Sequence, residues 1–321
     1  MFYLYKTLYK PVVKWAGGKT KILNQISNYL PKSFINYHEP FVGGGALFFY
    51  LYPHLKREGA RAYLSDSVEE LINLYQVIKE GAGTLISIAK DHVYDESYYY
   101  RIRSLNPAVL SNAQRAARIL YLNRTCFNGL YRVNSKGQFN VSFGDYIDPV
   151  VVDEKVLNNA SEAFQLAELF SGDFSLVLDN ARNGDFIYLD PPYVPLTATS
   201  NFTGYTAGSF GPADHKRLFK VFKKLVDRGC HVMLSNSNTD FVKDLYSGFN
   251  MKTVNSKRSI NSDATKRGAI KELVVLSYPD SEMTMVKEAK TLAMAGQTVK
   301  KKNSQARRTD LLKLRDRKSV V

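Results

Sequence analysis

Asn36-Tyr-His-Glu-Pro-Phe-Val-Gly-Gly-Gly-Ala46 is the stretch on which the fold turns. Asn36 to Val42 suits a short strand, and it runs straight into Gly43-Gly44-Gly45. Ala46 to Leu55 is then apolar enough for a buried helix. Arg61 to Ser65 reads as a second short strand, closed by Asp66. Val68 to Lys79 carries Leu71, Ile72, Tyr75 and Ile78 at helical spacing. Strand, glycine loop, helix, strand and acid make a βαβ unit, the repeating element of a parallel α/β sheet.

The glycine loop also limits the chemistry. Gly43 and Gly45 let the backbone approach a ligand at the carboxyl end of a strand. Asp66 lies 21 residues beyond Gly45, where a carboxylate can accept hydrogen bonds from both ribose hydroxyls. The third glycine of a dinucleotide fingerprint is missing, because Phe48 occupies its place. Trp15-Ala-Gly-Gly-Lys-Thr20 ends like a phosphate loop, but the glycine required five residues before Gly18 is Val13. An adenosine-containing ligand without a pyrophosphate remains, and S-adenosylmethionine fits. A tight turn with a helix N-cap at Asp66 accounts for the same residues without a ligand.

Further along, the alternation stops for about a hundred residues. Leu85 to Tyr121 is mostly helical with a break at Pro107, and Asn123 to Tyr146 suggests turns and a β-hairpin. Alternation resumes after Ala160. Phe186 to Leu189 reads as a strand, Pro212 to Asp227 as a helix, His231 to Leu234 as a strand, Asp240 to Tyr246 as a helix and Leu273 to Tyr278 as a last strand. The expectation is an α/β core of residues 1–80 plus 160–279 enclosing an insert of about 81–159, with a basic tail over 280–321. Such a plan suits an enzyme whose core holds a small molecule and whose insert reads a macromolecule.

The buried strand at Phe186 ends in Asp190-Pro-Pro-Tyr193, where an α/β sheet places its site. The amino group of adenine is a poor nucleophile because its lone pair delocalises into the ring. Asp190 and the Pro191 carbonyl can each accept one of its N–H bonds, and Pro192 offers no competing donor. Electron density then gathers on the nitrogen as it attacks a methyl group in line. Tyr193 can stack on a base that has left the duplex. A loop with an N-capping Asp has the same four letters.

Charge and cysteines agree with this picture. The 321 residues carry a net charge of +14, of which +8 falls in 1–279 and +6 in 280–321, and a polyanion such as nucleic acid is the favoured partner. Cys126 and Cys230 are too few for a disulfide scaffold or a cysteine-built zinc site, and no metal is expected. No stretch is apolar enough for a membrane span or a signal peptide, so a cytoplasmic protein is expected.

Five segments, in this order, resemble the Dam-type DNA adenine methyltransferases. They are Lys14-Trp-Ala-Gly-Gly-Lys19, Glu39-Pro-Phe-Val-Gly-Gly-Gly-Ala46, Asp66 with its following helix, Asn123-Arg-Thr-Cys-Phe-Asn-Gly-Leu-Tyr-Arg-Val-Asn134 with Phe139-Asn-Val141, and Asp190-Pro-Pro-Tyr193. The resemblance implies a Rossmann-like S-adenosylmethionine-dependent core with an inserted, mainly helical target-recognition domain. It implies transfer of a methyl group to adenine N6 in double-stranded DNA, within GATC, by base flipping. It assigns the cofactor to Trp15, Lys19, Gly43, Gly45, Asp66, Asp173 and Asp190, and catalysis to Asp190, Pro191, Pro192 and Tyr193. It assigns the DNA to Lys14, Phe127, Asn128, Leu130, Arg132 and Asn134. Phe127 would wedge into the stack, Asn128 would assist at the emptied position, and Arg132 and Lys14 would each grip a guanine. A bacterial or phage-encoded, nucleoid-associated monomer, with or without a companion restriction endonuclease, is the implied setting. Ser142 departs from the family pattern, which often has Pro there, and 280–321 has no counterpart in the family core. Transfer to cytosine N4 or to RNA, and a silent DNA-binding regulator, stay as alternatives.

Overall fold

Phe186–Leu189 (β4), buried at all four positions, forms the middle strand of a seven-stranded sheet. A strand buried on both faces reads as an unbroken apolar run, which is why it was visible in the sequence. The computed structural model describes residues 8–195, 210–257 and 269–283, and the greater part of the basic tail lies outside them. The other strands are Tyr37–Glu39 (β1), Ala62–Asp66 (β2), Ala167–Ser171 (β3), His231–Ser237 (β5), Asn250–Lys257 (β6) and Ala269–Leu276 (β7). Their order is β3-β2-β1-β4-β5-β7-β6, with β7 antiparallel to both neighbours and the first five strands parallel.

This order sets the site. The chain steps outward from β1 to β2 and β3, then returns to place β4 on the other side of β1. The crevice at such a reversal, beyond the carboxyl ends of the strands, is where α/β sheets bind ligands. β1 runs into Gly43–Gly45 and β4 runs into Asp190, so both motifs meet there.

Helix Ala46–Glu58 (α1) buries most of its length, from Ala46 to Leu55, and stops at Gly59 in the left-handed conformation. Glu69–Glu80 (α2) packs against the insert, built from Ala82–Lys90 (α3), Glu96–Ser104 (α4) and Asn112–Thr125 (α5). α5 starts with a capping box between Ser111 and Gln114. Its Arg118 is buried and donates to the carbonyls of Ile102, which also accepts from Leu105 N, and Arg103 at the end of α4. Glu154–Phe164 (α6) leads from the insert back to β3. Pro212–Asp227 (α7) and Asp240–Leu245 (α8) flank β5 in sequence.

Some expectations change. Thr20 to Leu30 is not one helix but three short turns, Lys19–Lys21, Leu23–Ile26 and Ser27–Tyr29. The hairpin of the insert is held by the isolated antiparallel bridges Cys126–Phe143 and Val133–Phe139 rather than by full strands. At the carboxyl side of the core, Asp280–Glu282 forms a turn, and Met283 pairs with Pro31 and is buried. Docked structure therefore reaches past the 279/280 boundary. Among the described residues no helix is long and apolar enough to cross a membrane.

Candidate active site

Asp190 follows the last residue of β4, and its Oδ2 accepts from Lys19 Nζ at 2.7 Å. Lys19 is buried, donates also to the Gly17 carbonyl at 2.7 Å, and lies 4.7 Å from the centre of the Tyr193 ring. The second carboxylate oxygen, Asp190 Oδ1, is buried without a hydrogen-bond partner. Burial raises the Asp190 pKa to about 6, and the ammonium of Lys19 opposes that rise. The loop is pinned further on. Tyr193 donates its hydroxyl to Glu272 Oε2 at 2.8 Å, and Val194 N donates to Asn236 Oδ1 at 3.1 Å.

Glu39, the last residue of β1, is buried beside this cluster and accepts from the Tyr37 hydroxyl at 2.8 Å. Burial, with the neighbouring charge of Asp190, pushes its pKa up to about 8. Three acids, Glu39, Asp190 and Glu272, are thus gathered at one end of the sheet around one buried lysine. Of these three acids, only Asp190 is among the site residues expected from the sequence. A strand-ending acid marks Glu39, but Glu272 is 79 residues from Tyr193 and has no local motif.

The glycine loop needs its glycines. At Gly43, φ is +45°, and a Cβ there would sit 2.6 Å from Trp15 Cδ1. Gly45, at φ +68°, immediately precedes α1. Asp66 uses one oxygen to accept from Gly43 N at 2.9 Å and the other to accept from Val68 N at 3.0 Å. It therefore ties the glycine loop to Val68, the residue before α2; Val68 and not Asp66 is the N-cap of that helix. Each oxygen retains a lone pair for a further donor. Asp173, just past β3, caps the following turn through Ser175 N and forms a two-pronged pair with Arg217 at 2.7 and 2.8 Å. That guanidinium holds its pKa down to about 2. Arg217 also lies 4.1 Å from the centre of the Phe174 ring.

The loop and hairpin that follow α5 adjoin this edge. Trp15 stacks on Tyr131 at 5.4 Å. Asn123 accepts from Lys14 N at 2.8 Å and donates to the carbonyls of Lys14 and Gly129. A Cβ at Gly129 would meet the Lys14 side chain at 2.5 Å. Lys14 Nζ lies 4.1 Å from the Tyr146 ring centre, and burial with nearby Arg124 lowers its pKa. Phe127 is 51% exposed and Asn128 takes the left-handed conformation, φ +55°. Leu130 packs on the core. Arg132 donates to the side chain and carbonyl of Asn140, and Asn134 closes the turn with Gln138. The structure thus brings Trp15, Lys19, Gly43, Gly45, Asp66 and Asp190 to one edge, and joins Lys14 to the hairpin.

Comparison with known proteins places this arrangement. Residues 15–260 match the family model described as D12 class N6 adenine-specific DNA methyltransferase. The chain is 42% identical to the type II methyltransferase M.MjaIII of Methanocaldococcus jannaschii, over 84% of this chain and 99% of that one. It is 40% identical to the type II methyltransferase M1.LlaDCHI of Lactococcus lactis subsp. cremoris, over 84% and 95%. It is 34% identical to the DNA adenine methylase of Escherichia coli K12, over 83% and 95%. The chain belongs to the D12 class of N6 adenine-specific DNA methyltransferases.

Proposed function

We propose that methyl transfer takes place at Asp190–Tyr193, on an adenine turned out of a DNA duplex at GATC. The observation that carries this is the divided carboxylate of Asp190. Lys19 occupies Oδ2 and keeps the group ionised, while Oδ1 is buried with no partner. A buried acceptor without a donor is costly unless a ligand completes it. An amino N–H of adenine completes it, and the Pro191 carbonyl takes the other. Both bonds strengthen as positive charge develops on the nitrogen, so they favour the transition state over the ground state. The Tyr193 ring, fixed by Glu272, offers a flat face for the base.

S-adenosylmethionine is the cofactor of this class, and it supplies an electrophilic methyl group carried on a sulfonium. The residues present suit it. Trp15 lies over Gly43, where no side chain fits, Gly45 opens α1, and Asp66 keeps lone pairs for ribose hydroxyls. Lys19 holds Asp190 beside them. Asp173 enters this set on resemblance alone, since Arg217 and Ser175 already engage its carboxylate.

For the DNA, residues 81–159 serve as the recognition domain. The half-exposed ring of Phe127 suits a wedge between bases, and Arg132, Lys14 and Asn128 stand around the same loop. Arg132 has donors left for a guanine edge after its bonds to Asn140. GATC rests on the match of Asn123–Asn134 to Dam-type hairpins. The test is to incubate the protein with unmethylated genomic DNA and methyl-labelled cofactor and to map every modified base. N6-methyladenine confined to GATC is expected. Label on cytosine, label on RNA alone, or bound DNA with no label would overturn the proposal.

A further inference from the structure

Glu272 stands near the start of β7, paired with Ser237 of β5 and Val254 of β6. Because β7 runs antiparallel, its first residues lie at the edge where the parallel strands end. The segment after Asp190 crosses that edge. Val194 is held from both sides at the end of β5, its N–H by Asn236 and its carbonyl by the Ser237 hydroxyl at 2.7 Å. Tyr193, one residue earlier, reaches over to Glu272 at 2.8 Å. Lys19 lies on the same ring. The tyrosine ring therefore has a cation near its face, a carboxylate on its hydroxyl and an anchored residue on its carboxyl side.

We infer that Glu272 is a positioning residue for methyl transfer, fixing the Tyr193 ring in the orientation that a flipped adenine stacks upon. The inference rests on the assignment of Asp190–Tyr193 as the reacting loop. Glu272 acts through Tyr193 and touches neither substrate nor cofactor. Its carboxylate also bears on Asp190, which faces Lys19 from the amino-terminal loop, Glu39 from β1, Glu272 from β7, and Tyr188 and Tyr193 from its own segment. A negative charge at 272 makes Asp190 harder to ionise.

The test is a double-mutant cycle on full-length protein with a duplex carrying the target adenine. Single-turnover transfer is followed for wild type, Glu272→Ala, Tyr193→Phe and the double variant. Glu272→Ala should slow transfer about 10- to 100-fold, as small misplacements at a reacting centre do, with DNA affinity changed less than about threefold. Glu272→Ala and Tyr193→Phe should not multiply, because both remove one hydrogen bond. Glu272→Gln keeps an acceptor oxygen without the charge. It should transfer at nearly the wild-type rate while its acid limb moves to lower pH, a shift that a merely structural role would not give. Multiplying effects, an unaffected Glu272→Ala, or an acid limb that stays in place would each overturn the inference. Asp190→Ala is run alongside. If it too keeps full transfer, the assignment of the loop has failed, whereas an inactive Asp190→Ala beside a normal Glu272→Ala rejects Glu272 alone.

Discussion

The carboxyl edge of the sheet and the hairpin of the insert are built in opposite ways. At the sheet edge, side chains are buried and bound to each other. Lys19 holds Asp190, Asp66 holds Gly43, and Glu272 holds Tyr193. In the hairpin, the backbone is joined by isolated bridges, Asn128 is left-handed, and a phenylalanine stands half in solvent. On the function proposed above, the difference follows from two tasks. Acceleration requires acceptors fixed before the substrate arrives, since reorganising them during the reaction costs rate. Reading requires side chains that stay available to a partner, and burial would remove them. Rigid and open regions thus belong to one function.

Substitutions can break this contrast. The largest effect is expected at the buried edge. Asp190→Ala should lower single-turnover transfer by at least about 10²–10³-fold, the loss typical of one preorganised group. DNA affinity by gel shift should stay near wild type, because the hairpin is untouched. Arg132→Ala should do the reverse. Turnover at saturating GATC should persist, while discrimination against substituted guanines falls by about 1–3 kcal/mol, measured as a ratio of kcat/KM values. Unchanged discrimination would remove Arg132 as a reader.

A milder probe is pH. Asp190 must be ionised to accept an N–H, and burial raises its pKa to about 6. Raised acid pKa means the proton is bound more tightly in the folded protein. Activity, followed as kcat/KM so that it reports the free enzyme, should therefore be level near pH 7 and fall about tenfold per unit below pH 6. A limb near the ordinary aspartate value would show that Asp190 is less buried in solution than here. The smallest effect is expected where a charge pair is open to solvent. Arg217 and Asp173 are both nearly half exposed, so Arg217→Ala should cost less than about 1 kcal/mol in thermal unfolding. A larger loss of cofactor affinity than of stability would place that pair at the ligand.

Much of the fold was legible because buried parallel strands leave unbroken apolar runs. Phe186–Leu189 was read with its bounds intact, and the Pro212–Asp227 helix likewise. β3 and β6, the two edge strands, were not read as strands. Ala167–Ser171 is buried only at its first residue, and Asn250–Lys257 carries mostly polar residues, so neither shows an apolar run or a clean alternation. Within the site, Gly43, Asp66 and Asp190 were legible because each lies at or shortly after the carboxyl end of a strand that the sequence marks. Glu272 was not, and Asn140 stood within the Phe139–Val141 segment with no role assigned. Glu272 meets its partner only through the sheet order, and Asn140 only through the fold-back of the hairpin onto Arg132.

Asn123 gives the molecule a constraint on its evolution. Its one amide ties Lys14, next to the tryptophan that covers Gly43, to Gly129 at the base of the hairpin, and Tyr131 leans on that same tryptophan. The hairpin is therefore no free-standing cassette. A hairpin grafted from a relative with another target sequence would arrive without its second root in residues 14–15. Exchange of specificity in this class should succeed when the amino-terminal loop travels with the hairpin, and should falter when the hairpin moves alone.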